Sequence, residues 1–194
     1  MEKETKKKMN LFVDCGGYSG NSVKWWKDNV GGSWNYVSFE PSPKGAKEIW
    51  RLFPSVDVIQ AAVWNENDKR VLRIGSGDVG ESSSLIATKK IRGINKTRNS
   101  KIVNTIDFSA WLLKRTEKRI VVKMNIEGAE YTVLPHLIRT GAIRRIEKLY
   151  VDWHWKKCKI KELEHKSLIK KIPIPFERWG LHKDGQGNLH RHYG

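Results

Sequence analysis

The sequence predicts an α/β fold of the doubly wound, Rossmann-like kind, a mostly parallel central sheet with helices on both faces and a C-terminal antiparallel hairpin. Three observations predict it. Short apolar runs of strand length alternate with amphipathic helical stretches, the pattern of successive strand–helix units. Two of these runs end on an acid, Asp14 and Glu40, just before a turn and a helix start. A third, residues 120–124, runs into a polar cluster and a further glycine turn at Gly128. In a parallel sheet of this type the C-terminal strand ends line one crevice, and ligands bind there.

The chain has 194 residues, enough for one domain that buries roughly 70% of its unfolded surface. We read residues 1–10 as a charged N-terminal arm and 11–194 as a single domain. The net charge of +16 describes a field that attracts polyanions, nucleic acid among them, or else a lysine-rich solvated surface. Two cysteines, Cys15 and Cys158, do not make a disulfide framework and point to a reducing compartment. No apolar run reaches the ~18 residues of a membrane span. The N-terminal charges precede no signal-peptide core, so the expected location is cytoplasmic.

Leu11, Phe12 and Val13 form the first strand, which runs through Asp14 and Cys15 into Gly16, Gly17, Tyr18, Ser19 and Gly20. Glycines let backbone approach a ligand, and the unpaired N–H groups of the following helix face it. The spacing is neither Gly-x-Gly-x-x-Gly nor a phosphate loop, which argues against an NAD enzyme. An acid beside the turn suits a ligand carrying positive charge or hydroxyls. The helix that follows holds Val23, Trp26 and Val30 at helical spacing, with one of the adjacent Trp25 and Trp26 expected in the core and the other partly exposed. Residues 36–40 make a second strand ending on Glu40, and Pro41 follows it. Glu40 lies 26 residues beyond Asp14, near the ~20 expected of an acid that grips a ribose diol. A carboxylate accepts from both hydroxyls. Ala46, Ile49, Trp50 and Phe53 form the next helical stripe.

Residues 56–63 read as a third strand whose small end, Ala62, leaves room for a flat ring. Residues 70–74 alternate like a half-exposed strand, and residues 75–84 are a glycine- and serine-rich loop suited to form one wall of a site. Lys89, Lys90, Arg92, Lys96, Arg98 and Lys101 make a basic stretch that either faces an anion or is simply solvated. A short strand at Ile102 and Val103 leads to a helix with Phe108, Trp111, Leu112 and Leu113 on its apolar side. Residues 120–130 supply the fourth buried strand, with Lys123 and Asn125 on one face at period two and Glu127 and Glu130 beyond it. The next helix meets Pro135, where a bend or break is expected. Residues 146–154 form a fifth strand ending on Asp152 and His154. A lysine-rich helix over 156–171 follows, with Ile160, Leu163, Leu168 and Ile169 as its buried side. The tail reads as a hairpin added to the sheet edge. His190 and His192 lack a third ligand, and no metal site is expected there.

With these elements in order, the sequence resembles the FkbM family of S-adenosylmethionine-dependent methyltransferases. The resemblance rests on Phe-Val-Asp-Cys-Gly-Gly-Tyr-Ser-Gly at 12–20, Phe-Glu-Pro-Ser-Pro at 39–43, Ala62-Val63, Ser83-Ser84-Leu85 and Thr105-Ile106-Asp107. It continues through Lys123-Met124-Asn125-Ile126-Glu127-Gly128-Ala129-Glu130, its most specific piece, to Val151-Asp152-Trp153-His154. It covers residues 11 to 154. It implies a class I methyltransferase sheet, S-adenosylmethionine as donor, and methylation of oxygen, often on sugar or polyketide hydroxyls. The chain departs from the family's usual aspartate at Asn125 and its common glutamate at Asp152, and the first change removes a negative charge.

Methyl transfer from a sulfonium is an in-line displacement in which positioning does most of the work. An alcohol acceptor must also lose a proton, to a base or with the help of a metal. The sequence nominates His154 as base, oriented by Asp152, with Glu127 second. Lys123 is expected to steady the acceptor oxygen or a neighbouring anionic group, and Asn125 to hold the donor's methionine end or the acceptor. Asp14, the 16–20 turn, Glu40, Pro41 and Ala62 are the expected donor-binding residues. Whether a divalent metal takes part is left open. Two other readings stand beside the sugar O-methyltransferase: an RNA ribose 2′-O-methyltransferase using the basic surface, and a non-catalytic nucleoside-binding or interaction module.

Overall fold

The computed structural model describes residues 9–75, 82–89, 100–184 and 188–191. The chain runs β1 (Asn10–Cys15), α1 (Asn21–Asn29), β2 (Trp34–Phe39), α2 (Pro43–Leu52), β3 (Val56–Ile59), β4 (Ala62–Trp64), β5 (Asp68–Arg73) and β6 (Ser100–Asp107). It continues α3 (Phe108–Leu113), β7 (Ile120–Met124), α4 (Glu130–Thr140), a 3-10 turn (Ala142–Arg145), β8 (Lys148–Val151), α5 (Glu162–Lys171), β9 (Phe176–Arg178), β10 (Leu181–Lys183) and β11 (Leu189–Arg191). The central sheet has the order β3-β2-β1-β7-β8-β9, and every pairing in it is parallel.

Strand alternation divides the core into two layers. Leu11, Val13 and Cys15 of β1 join Val122 and Met124 of β7 under α3 and α4. Phe12 and Val121 point the other way, into the layer with Val23 and Trp26 of α1 and Ile49 of α2. Helices thus cover both faces, as the continuous apolar strands require. Asp14 and Lys123 are paired in register on adjacent strands and belong to the second face, the only charged side chains buried in mid-sheet there among the described residues.

Several expectations are corrected. The apolar run at 56–63 is not one strand. The Ile59 carbonyl accepts from Glu40 N at 3.1 Å and from Ala61 N at 2.8 Å, the chain turns, and β4 leaves for a second sheet of order β4-β6-β5. There β6 is eight residues long, far beyond the pair Ile102 and Val103, because it pairs with strands on both sides. The sheet edge is taken by β9, parallel to β8, whereas β10 and β11 form a separate antiparallel hairpin. That hairpin lies against α1, and Trp179 meets Trp25 edge-on at 5.6 Å, so both Trp25 and Trp26 are buried.

Trp50 is 67% exposed because it lies at the margin of the α2 stripe, over the end strand β3. Leu113 is exposed at the last residue of the short α3. Of the four residues assigned to the buried side of the lysine-rich helix, Leu168 alone is buried and Leu163 is 79% exposed, since the helix begins only at Glu162. Helix α4 continues through Pro135 without a break. No described helix is long and apolar enough to cross a membrane. The arm at 1–8, most of the 75–84 loop, the basic residues Lys90, Arg92, Lys96 and Arg98, and His192 lie outside the described residues.

Candidate active site

The C-terminal ends of β1, β2, β7 and β8 open on one cleft of about 350 Å³. Its first wall is the turn after β1. Gly16 takes a φ of +83°, and a Cβ there would stand 2.0 Å from the carbonyl oxygen of Asn125, whose own N–H donates to Cys15 O at 3.0 Å. The close approach that demands glycine is therefore to the end of β7. Gly20 likewise gives way to the Phe53 ring, and Gly17 to Ser38. Only Gly16 of the three borders the cleft, so the glycines clear space for protein.

Glu40 ties this turn to the start of α2. Its Oε2 accepts from the Tyr18 N–H at 2.7 Å and its Oε1 from the Ser42 N–H at 2.8 Å. Burial raises its carboxyl pKa, and the two backbone N–H groups pull it partly back. Each oxygen keeps a second lone pair, and the largely buried residue borders the cleft. Phe39, Pro41, Ala62, Val63 and Leu72 form the apolar wall nearby.

Behind the turn lies a buried ion pair. Lys123 Nζ donates to Asp14 Oδ1 at 2.8 Å and to the Gly16 carbonyl at 2.8 Å. Lys123 is 2% exposed and Asp14 fully buried, and neither borders the cleft. Burial pushes the Asp14 carboxyl up, against the Lys123 charge. Their geometry fastens β1, β7 and the turn together. Ser19, Gly17 and Gly20 do not border the cleft either.

The far end of the cleft is charged. Glu127 and Gly128 both have positive φ, 56° and 104°, so the chain after β7 folds back sharply and points the Glu127 side chain into the cleft. Glu130 pins that turn from below, accepting from Ile126 N at 2.9 Å and Gly128 N at 2.7 Å. His154 bridges the two acids, with Nε2 3.2 Å from Glu127 Oε2 and Nδ1 3.4 Å from Glu130 Oε1. Lys89 completes the group. It is buried, not part of an exposed basic surface, and its Nζ donates to Glu127 Oε2 and, at 2.8 Å, to the Ser82 carbonyl. Segment 82–89 is thereby strapped across the site, helped by Ser84 Oγ donating to Glu127 O at 2.6 Å.

Burial favours neutral His154, but the hydrogen bonds and charges of Glu127 and Glu130 outweigh it and raise its pKa from 6.5 to about 9. Burial likewise opposes ionisation of Glu127, yet His154 and Lys89 lower its pKa from 4.5 to about 2. The two shifts share the Glu127–His154 contact, with Glu130 adding to the first and Lys89 to the second. The histidine contribution is complete below pH 6.5 and is lost as pH rises through about 9. The Glu127 contribution is complete above pH 4.5 and is lost as pH falls through about 2. An NMR titration of the His154 ring is accordingly expected to give a midpoint near 9. A midpoint near 6.5 contradicts this description of the group.

Asp152 lies just past β8, on the cleft wall and 31% exposed at its side chain. Its Oδ2 is 3.9 Å from His154 Nε2, beyond hydrogen-bond reach, so the acids that orient His154 are Glu127 and Glu130 and not Asp152 as the sequence suggested. Burial raises the Asp152 carboxyl, and the His154 charge counters it. Of the residues nominated from sequence, Gly16, Tyr18, Glu40, Pro41, Ala62, Asn125, Glu127, Asp152 and His154 meet at the cleft. Leu72, Lys157 and Leu181 join them without having been singled out. Leu181 belongs to a hairpin with no motif, and Lys157 is one of many lysines. Among the described residues no three His, Cys, Asp or Glu side chains are grouped to hold a metal ion.

The fold and the cleft define a doubly wound α/β protein with a cleft at the C-terminal edge of its sheet. The chain belongs to the FkbM methyltransferase family: the model of the methyltransferase FkbM domain matches residues 14–175. Among solved structures it is similar to the methyltransferase FkbM from Methylobacillus flagellatus KT, with a TM-score of 0.54 and 12% identity. That match covers 95% of this chain and 44% of the other, so the chain spans under half the length of that protein. No curated protein gives a significant match.

Proposed function

We propose that the chain is an S-adenosylmethionine-dependent O-methyltransferase that transfers a methyl group to a hydroxyl of a sugar or of another small-molecule or glycan acceptor. Family membership supports methyl transfer, and the cleft supports the donor. The observation that carries the reading is the pair of acceptor groups left on its wall. Glu40 has lone pairs for a ribose diol, and Asn125 Oδ1 is a buried acceptor with no partner among the described residues, suited to the donor's ammonium. The apolar wall at Phe39, Ala62 and Leu72 suits adenine. S-adenosylmethionine, when bound, supplies an electrophilic methyl group.

The acceptor's proton goes to Asp152 on this reading. His154 is charged at neutral pH with both ring nitrogens engaged, and Glu127 is too weak a base with a pKa of about 2. Asp152 has a raised pKa, faces the cleft and lacks a hydrogen bond to His154. Its role and that of His154 are thus exchanged relative to the sequence reading: His154 supplies the fixed positive charge that keeps Asp152 ionised. Lys123 acts as a positioning residue beneath the donor turn. Labelled methyl transfer to a panel of sugars, small alcohols and RNA, with and without divalent ions, tests the function. Sugar products at physiological salt are expected. Incorporation into RNA alone, falling steeply with salt, would shift the assignment to a ribose 2′-O-methyltransferase.

A further inference from the structure

The charges at the acceptor end of the cleft divide into a closed group and an open one. Glu127, Glu130, His154 and Lys89 form a buried set of two carboxylates and two cations, each paired within the set. They balance one another and leave no net charge to offer a substrate. Asp152 and Lys157 remain on the cleft surface outside that set. Lys157 is exposed, has no ion-pair or hydrogen-bond partner among the described residues, and is the only lysine or arginine bordering the cleft among them.

Its backbone is held firmly. Lys157 belongs to the turn after β8, whose next residue, Cys158, is buried under Gly128, with a Cβ at Gly128 falling 2.2 Å from Cys158 Sγ. Cys158 N donates to His154 O at 3.0 Å, and Thr88 Oγ1 donates to Cys158 O at 3.1 Å. A long flexible cation on a fixed turn, bordering the same cleft as Asp152, is suited to an anion at one end of a bound molecule.

Resting on the methyltransferase reading above, we propose that the acceptor carries a carboxylate or phosphate next to its reacting hydroxyl and that Lys157 is the residue that selects for it. A neutral acceptor leaves Lys157 solvated and gains nothing from it. An anionic one exchanges water for a charge-assisted hydrogen bond and is oriented with its hydroxyl toward Asp152.

The test uses the full chain loaded with S-adenosylhomocysteine and paired probes, glucuronic acid against glucose and glucose 6-phosphate against glucose, titrated by calorimetry. S-adenosylmethionine binding is measured separately. The anionic member of at least one pair is expected to bind about tenfold tighter than its neutral partner, the scale of one charge-assisted hydrogen bond. Lys157→Ala should erase that difference without changing donor affinity, and Lys157→Arg should restore most of it. Equal binding within every pair, binding by neither anion, or a preference untouched by Lys157→Ala overturns the proposal. So does a Lys157→Ala variant that weakens S-adenosylmethionine itself, since Lys157 would then hold the donor's carboxylate. Failure of the wild-type chain to bind S-adenosylmethionine overturns the functional reading and is seen independently of the sugar titrations.

Discussion

Asp152→Asn is expected to lower kcat by about 10²–10⁴-fold while leaving S-adenosylmethionine affinity within about twofold, the scale of losing one general base. The substitution keeps the shape of the side chain and removes its capacity to take a proton. Asp152 makes no hydrogen bond to His154, so the buried charge group beneath it stays intact. The same measurement on His154→Gln separates the roles. If His154 were the base, its loss would cost as much at every pH. As a charge fixed between Glu127 and Glu130, its loss costs stability and raises the Asp152 pKa, shifting the acid limb of the pH–rate profile upward with activity recovered at higher pH. An Asp152→Asn enzyme with undiminished turnover would remove the base assignment.

Lys123→Met is expected to destabilise the fold by about 3–5 kcal/mol, the cost of leaving one member of a buried ion pair alone. Asp14 is fully buried, and the Lys123 ammonium is the partner that offsets its desolvation. Its Oδ2 already has no partner among the described residues, so no neighbour is placed to take over. The Gly16 carbonyl also loses its donor. Removing the orphaned charge as well, in Asp14→Asn/Lys123→Met, should recover a large part of the loss, because the penalty belongs to the unpaired carboxylate rather than to the missing lysine. Urea denaturation of the three variants measures both numbers. A Lys123→Met loss under about 1 kcal/mol would mean that Asp14 is protonated in the native protein and needs no counter-charge.

The central architecture was legible because the mid-sheet strands β1 and β7 are mostly apolar runs with a turn signal after each. Asp14, Glu40 and Glu127 announced the crevice by standing where those runs end. What periodicity does not carry is the partner of a charge. Lys123 follows the strand alternation and reads as a cleft residue. It is the cross-strand register with Asp14 that turns it into a buried tie. Lys89 looked like one lysine in a basic stretch, although it reaches 38 residues along the chain to Glu127. His154 was found by its place after β8, but its protonation depends on Glu130, a residue that sequence marks as part of a motif without showing that it lies under the imidazole. The tail's antiparallel hairpin was legible, but its place away from the sheet edge was not, for a related reason. A three-residue strand such as β9 carries no period, and only its pairing with β8 reveals it.

On the proposed function, the cleft binds S-adenosylmethionine with Glu40 on the ribose. Calorimetric titration of the donor into the wild-type chain and into Glu40→Ala tests it most directly. One site per chain is predicted, with affinity at least about tenfold weaker in the variant, the loss of two hydrogen bonds to a charged acceptor. Absence of binding to the wild-type chain, or equal affinity for both proteins, would contradict the account.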